Sequence, residues 1–230
     1  MFRAVLLGGL LASSALLSAQ TDRALRDAQS LVESGKLNDA ETAIRQYLET
    51  HASSADAHYL LGYILFRDGN PKLSIAEYTD AGRYRPPSAL DLEAIGADYF
   101  LMEDYDAADE WLSKSVAAAP SDAHAKYYLG RAKYNRKHFA EAALTFAECL
   151  ELDPRNARAE DYLGRSYEAL GRVDDAITAY RRAIALDGGA TRNQEPYLDL
   201  GNLLVDNSQP GDAIPYLTEA AAIAPTPQSN

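Results

Sequence analysis

Between Tyr162 and Asp187 the chain reads YLGRSYEALGRVDDAITAYRRAIALD. Apolar and small residues fall three and four apart in two runs. Leu163, Gly164 and Tyr167 precede Gly171, and Ala176, Tyr180 and Ala183 follow it. That spacing puts each run on one face of a helix, so the stretch predicts helix, turn, helix. The pattern recurs along the chain. Gly62, Gly96, Gly130 and Gly164 are 34 residues apart, each preceded by an aliphatic residue, Leu61, Ile95, Leu129 and Leu163. Ala108, Ala142 and Ala176 keep the same interval behind Ser74, as do Pro86, Pro120 and Pro154. Four columns in one register mark an internal repeat. Counted from Thr21, the units span 21–54, 55–88, 89–122, 123–156 and 157–190, and a sixth, 194–227, follows a slip of three residues.

Each column has a physical reading. Gly35, Gly69 and Gly171 fall where the first helix must end, a place that favours a residue free to take positive φ. Asp174, Asp175 and Asp212 head the second helix, where the helix dipole favours negative charge. Pro71 and Pro210 stand at the same helix start, where a missing N–H costs little. A glycine in mid-helix costs up to about 1 kcal/mol relative to alanine, so Gly62, Gly96, Gly130, Gly164 and Gly201 require close approach of a neighbour in return. Ala40, Ala108, Ala142, Ala176 and Ala213 supply a matching small surface, and Tyr78, Phe146, Tyr180 and Leu217 are expected to fill the wedge between units. Cys149, the one cysteine, shares a column with Ala81, Ser115, Ala183 and Ala220 and reads as a small buried residue.

The order Leu-Gly, later Tyr, then Ala, Phe or Tyr and a closing Pro resembles the tetratricopeptide repeat, and the resemblance covers essentially the whole chain after residue 20. Lys133 and Trp111 depart from the pattern within their units, and Asp27, Ala28 and Tyr47 do so in the first. The resemblance implies an all-α, right-handed solenoid of about six helix-turn-helix units, each touching only its neighbours. It further implies that the first helix of every unit lines a concave face that binds a protein or peptide. Positions 2, 5, 9 and 12 of each unit then face the groove. They place Tyr59 and Tyr63 there with Asp56 and Phe66; His124, Tyr127, Arg131 and Tyr134; and Arg158, Asp161 and Arg165 with Glu168. The repeat domains that clamp acidic chaperone tails carry a Lys and Asn set at such positions. Tyr59 and Tyr63 stand in its place here, and no three successive units supply it.

The ends add a compartment. Met1-Phe2-Arg3, an apolar run of 14 residues from Ala4 to Leu17 and Ser18-Ala19-Gln20 read as a secretory signal peptide over 1–19, cleaved after Ala19. The run is shorter than the roughly 18 residues of a spanning helix. The expected setting is therefore exported, periplasmic or secreted, with a bacterial envelope in view and no transmembrane span in the mature form. A single cysteine forms no internal disulfide, so packing alone must hold the fold. At the other end, Leu217, Ala221 and Ile223 lie on the outer face of the last unit without a covering helix. That face either self-associates, docks on a partner, or tolerates exposure.

Net charge is −12 with no basic run, which argues against nucleic acid, since duplex binding needs a basic stripe. No dinucleotide or phosphate loop, H-E-x-x-H or C-x-x-C occurs, and His51, His58, His124 and His138 are scattered. No catalytic residue, metal or cofactor is expected. The acidic run Glu103–Glu110 lacks the Gly and alternating ligands of a calcium loop and reads as solvated acids at a helix start. The third unit carries nine acids against Lys114 alone, whereas the fourth holds six Lys or Arg against four acids. Arg131, Arg158 and Arg165 would therefore form a locally positive groove for a carboxylate or acidic segment. Equally, they would pair with Asp161, Glu160 or Glu168 on neighbouring turns. Two functions are open at this point: a non-enzymatic interaction scaffold of the envelope that binds in its groove, or a structural subunit of a larger envelope assembly docked through its C-terminal helix or convex face.

Overall fold

The computed structural model describes residues 23–187 and 193–223. The expected signal peptide, 1–19, and the end of the sixth unit lie outside them. Among the described residues there are helices and turns and no strand. They run α1 (23–33), α2 (Leu37–Leu48), α3 (Ala55–Arg67), α4 (Pro71–Gly82), α5 (Ala89–Leu101), α6 (Tyr105–Ala118), α7 (Ala123–Asn135), α8 (Phe139–Leu152), α9 (Ala157–Ala169), α10 (Val173–Leu186), α11 (Glu195–Asp206) and α12 (Pro210–Ile223). The expected all-α class holds, with helix-turn-helix units along the chain. Two compact bodies divide after Glu103, the first holding α1–α5 and the second α6–α12. No described helix is long and apolar enough to cross a membrane.

The starts of α3, α5, α7 and α9 are set by a polar cap one residue earlier. Ser54, Ser88, Asp122 and Asn156 each accept a hydrogen bond from a backbone N–H of the first turn. At Ser88 the bond is reciprocal, since Asp91 accepts from the Ser88 N–H at 2.8 Å. Each such cap contributes about 1 kcal/mol. The turns inside the hairpins share another device. Gly35, Gly69 and Gly171 have φ of 75°, 75° and 71°, and so, nearly, do Glu103 (61°), Lys137 (64°) and Ser208 (60°). Following that residue, the N–H groups of Lys36, Asn70, His138, Arg172 and Gln209 bond to the carbonyls of Leu31, Leu65, Lys133, Tyr167 and Leu204 at 2.8–2.9 Å. The left-handed residue is what lets the chain turn back and satisfy those carbonyls.

In the first body, Ala28 and Val32 of α1, Ala40, Ile44 and Tyr47 of α2, and Ala57, Leu61, Ile64 and Leu65 of α3 form one core. The second body has two. Tyr127, Ala142, Phe146, Cys149, Ala159 and Leu163 join α7, α8 and α9. Ala176, Tyr180, Leu200, Leu203, Leu204 and Ala213 join α10, α11 and α12. Burying an aromatic side chain such as Phe146, fully enclosed here, stabilises by about 2–3 kcal/mol. Cys149 is fully buried, its Sγ–H donates to the Ala123 carbonyl at 3.2 Å, and burial pushes the thiol up to about 11.

The mid-helix glycines meet a neighbour more specific than a small-residue surface. A Cβ on Gly130 would lie 2.7 Å from the Phe146 ring, one on Gly164 2.7 Å from the Tyr180 ring, and one on Gly62 3.2 Å from the Tyr78 ring. Gly201 has Leu217 in that place, at 2.4 Å. These large residues lie across the glycines of their own hairpins. The small column serves beside them: Ser74 donates its hydroxyl to the Gly62 carbonyl at 2.9 Å.

Candidate functional site

In the second body, one face of α7 and α9 and the start of α11 border a cavity of about 800 Å³. Helical spacing puts Tyr127 and Arg131 of α7 one turn apart, and Arg158, Asp161 and Tyr162 of α9 likewise, so that all five line it. Asp153, Arg155 and Asn156, in the connection before α9, Asp187 after α10, Asn193, and Glu195 of α11 complete the polar wall. The Arg131 guanidinium lies 5.5 Å from the Tyr127 ring, 5.6 Å from Tyr128 and 5.4 Å from Tyr162, each within range of cation–π attraction. Tyr127 is buried, and burial pushes its phenol up to about 12 against the opposing pull of Arg131 and Arg158, so it stays neutral. Arg155 and Arg158 are exposed at this wall, and among the described residues neither side chain has an ion-pair partner.

Arg165 has a different fate. Its Nε donates to Asp199 at 2.7 Å and its Nη2 to Glu195 at 2.8 Å, and Nη2 lies 3.3 Å from Asp161. Burial alone would lower its pKa; the three carboxylates outweigh it and hold the guanidinium charged. Arg165 thus ties α9 to α11 and has no charge left over for an acidic ligand. The pairing expected with Asp161 is present, and Glu195 and Asp199 join it from the next unit. Glu168 instead accepts from the Tyr180 hydroxyl at 2.6 Å. Asp161 itself is 2 % exposed. Burial pushes its carboxyl up to about 7, with Arg165 opposing and Asp199 and Glu195 adding to the rise.

The other groove residues fall elsewhere. Tyr134 packs edge-on against Tyr162 at 5.7 Å, outside the lining of the cavity. His124 is exposed, stands edge-on to Tyr128 at 4.8 Å, and borders a separate hollow with Asp122 and Asp153. In the first body, Tyr59 and Tyr63 line a cavity of about 620 Å³ with the apolar walls Leu25, Val32, Leu60 and Leu90. Tyr59 is buried and donates to the Arg85 carbonyl at 2.6 Å, while the Arg85 guanidinium stacks 4.4 Å from its ring and pairs with Asp56 at 3.2 Å. Tyr63 accepts from Arg67 at 3.1 Å.

The acids after Glu103 are engaged within the second body: Asp104 caps α6 and Asp106 and Asp109 both pair with Arg136. At the C-terminal end, Leu217 is partly buried against the α10–α12 core and over Gly201, which gives it a role inside its own hairpin. Ala221 is exposed and Ile223 half-buried. Ile214 of α12 is an exposed large apolar side chain, at 63 %. Arg155 escaped the position count because it sits in the connection after Pro154. Tyr162 escaped it as a sixth-position residue, although its ring lies 5.3 Å from the Arg165 guanidinium as well as near Arg131.

The sequence matches the family described as Tetratricopeptide repeat over residues 25–88, 94–157 and 130–191. It is 30% identical over 89 residues to the heat shock protein STI1 of Saccharomyces cerevisiae, a match covering 38% of this chain and 15% of that protein. The chain therefore spans a small part of that relative's length. The fold is similar to that of pilF of Pseudomonas aeruginosa, with a TM-score of 0.74 and 21% identity over 92% of this chain and 94% of that one. It is also similar to YrrB, described as a TPR protein with an unusual peptide-binding site, with a TM-score of 0.67 and 20% identity over 86% and 97% of the two chains.

Proposed function

Because this chain belongs to the tetratricopeptide repeat family, whose members mediate contacts between proteins, we propose that it is a non-enzymatic scaffold holding a segment of a partner protein in the second-body cavity. The observation that carries the reading is the convergence of Tyr127, Arg131, Arg158 and Tyr162 from two repeats on one hollow of about 800 Å³. That volume suits a few residues of an extended peptide. Tyr and Arg combine broad contact with directional hydrogen bonds and are the residue types enriched at binding hot spots. Fixed helices on both sides reduce the ordering cost of association.

The ligand is a segment bearing carboxylates. Arg155 and Arg158 are the cations that receive it, since Arg165 is already matched by Asp161, Glu195 and Asp199. The sequence of residues 1–20 supports export, and a bacterial envelope is the setting proposed for the partner. Peptides enriched from a displayed random library on the immobilised protein supply probes. Acidic residues should be enriched, and Arg155→Ser with Arg158→Ser should weaken the best peptide at least about tenfold, the worth of one charge-assisted hydrogen bond. Binding that survives the double variant undiminished excludes this cavity.

A further inference from the structure

Both ring nitrogens of His58, in the first turn of α3, face acceptors. Nδ1 lies 2.7 Å from Oε2 of Glu77 on α4, and Nε2 lies 3.0 Å from the Ala52 carbonyl, in the turn between α2 and α3. The ion pair is largely enclosed, with 13 % of the His58 side chain and 19 % of the Glu77 side chain exposed. A carbonyl and an ionised carboxylate only accept, so both contacts are hydrogen bonds only while each nitrogen carries a proton and the ring is a cation. A neutral ring keeps one of them. With its proton on Nδ1 it retains the carboxylate and turns a lone pair on the Ala52 carbonyl. The other tautomer sets a lone pair 2.7 Å from a negative charge, which costs more. Ala52 is exposed, so water takes up its carbonyl once the ring lets go. The Ala52 contact is therefore the one that deprotonation breaks.

The charges around the ring favour the cation. Glu77 touches it, and Asp80, on the same helix, adds its field, reduced by Arg83, which pairs with Asp80 at 3.0 Å. Tyr84, after α4, stacks on the imidazole with 6.4 Å between ring centroids. His51, beside Ala52, is engaged elsewhere, stacked on Tyr47 at 4.2 Å, and Asp56 of α3 pairs with Arg85 at 3.2 Å. Burial works against the charge; the bonds to Glu77 and Ala52 and the fields of Glu77 and Asp80 outweigh it and hold the imidazole above its ordinary value. What the ring holds is a joint. Ala52 lies where the hairpin α1–α2 meets the hairpin α3–α4, and Glu77 lies on the far helix of the second. The first-body cavity takes walls from both sides of that joint, Leu25 and Val32 of α1 and Tyr59 and Tyr63 of α3.

We propose that His58 is a pH-released clip: as a cation it ties the turn between α2 and α3 to α4, and as a neutral imidazole it keeps Glu77 and frees the turn. The tie is present below pH 6.5, the value of an unperturbed histidine in the unfolded chain, and is lost as pH rises through the higher folded value. The core shared by α1, α2 and α3 does not include His58, so release is local: the turn gains freedom and the hairpins stay packed.

The test follows the His58 ring in the full-length protein by proton–nitrogen NMR across about pH 5 to about pH 9, its signals assigned by their loss in His58→Gln. The midpoint is expected above the ordinary histidine value, and beyond it the neutral ring should carry its proton on Nδ1. In Glu77→Gln, where no carboxylate opposes burial, the midpoint should fall and the preference for Nδ1 should vanish. Amide hydrogen exchange, corrected for its intrinsic pH dependence, gives the second readout. Protection of the Ser54 N–H, bonded to the His51 carbonyl at 2.9 Å, should drop between pH 5 and pH 8 by at least about threefold in wild type, and stay level in His58→Gln. Asp98 titrates in both proteins and cancels from the comparison. A midpoint at or below the ordinary value, a neutral ring protonated on Nε2, or an equal loss of protection in both proteins overturns the proposal. Should His58→Gln fail to fold, Glu77→Gln replaces it in the exchange experiment: the pH at which protection drops should move down with the midpoint, and a drop that stays where it was refutes the clip.

Discussion

Adding one methyl group at three glycines tests the packing on which the hairpins depend. Gly62→Ala, Gly164→Ala and Gly201→Ala each gain about 1 kcal/mol of helix propensity. What each loses is set by the side chain across from it. At Gly164 the new Cβ would stand 2.7 Å from two carbons of the Tyr180 ring. Tyr180 is fully buried and its hydroxyl is held by Glu168 at 2.6 Å, so the ring has little room to retreat. Overpacking of that kind costs about 1–3 kcal/mol, and with the ring pinned the upper half of that range applies, leaving a net loss of about 1–2 kcal/mol after the propensity gain. At Gly201 the distances are shorter, 2.4 Å to Leu217 Cδ2 and 2.6 Å to its Cγ, but that side chain is only partly buried, and turning it about its Cα–Cβ bond carries both atoms away. At Gly62 the contact is 3.2 Å, and the Tyr78 hydroxyl has no hydrogen-bond partner among the described residues to pin its ring. Both of these variants should fall within about 0.5 kcal/mol of wild type, as the propensity gain offsets the contact. Urea denaturation followed by circular dichroism gives the midpoints, which are compared directly because repeat arrays need not unfold in one step. A midpoint for Gly201→Ala below that of Gly164→Ala would refute the argument, since clash would then follow distance and not the freedom of the side chain.

Three further outcomes follow from single groups. Asp98 is fully buried without a hydrogen-bond partner for either oxygen among the described residues, and burial, opposed only by nearby Ser74, raises its carboxyl to about 7. The folded chain then holds this proton between pH 4 and 7 where the unfolded chain has released it, so stability falls as pH rises across that window. Asp98→Asn should match wild type below pH 4 and exceed it at pH 8 by about 2–4 kcal/mol, and parallel urea midpoints at pH 5 and 8 would contradict this. Arg165→Met strips three carboxylates of their cation, one of them buried, and should cost about 2–4 kcal/mol; hydrogen exchange should quicken in α11 and α12 while α7 and α8 stay protected, and a uniform change would count against the latch. Lys137→Gly relieves a side chain held at φ 64° and should raise the urea midpoint by about 0.5–1 kcal/mol in stability, with an unchanged or lowered midpoint showing that the lysine is unstrained there.

The hairpins were legible because their period is written in the most costly residues, the mid-helix glycines, and because three and four spacing is hard to mistake. Other features were not, for definite reasons. Turns were sought through glycine and found at 35, 69 and 171; the backbone asks only for positive φ, and Glu103, Lys137 and Ser208 adopt it without glycine's signature. Phe146 and Tyr180 do pack against the next unit, Phe146 stacking on Tyr162 and Tyr180 joining Leu200 and Leu203, but with Tyr78 they also lie over the glycines of their own hairpins, sixteen residues earlier, a contact that one-face counting does not reveal. At the candidate site, counting helix positions put Tyr127, Arg131, Arg158 and Asp161 on one face, and all four line the cavity. It also offered Arg165 as a ligand cation, because Glu195 and Asp199 lie beyond the three-residue slip, where the register no longer predicts who faces whom.

That slip has its own lesson. From buried glycine to left-handed turn is the same step at 62 and 69, 96 and 103, 130 and 137, 164 and 171, and again at 201 and 208. From glycine to the side chain lying over it, the step at 62 and 78 returns at 201 and 217. Extra length has entered at the joint between hairpins and nowhere within one. The hairpin is therefore the piece this lineage can duplicate, delete or exchange, and the joints are where foreign sequence can be spliced without disturbing the gauge on either side.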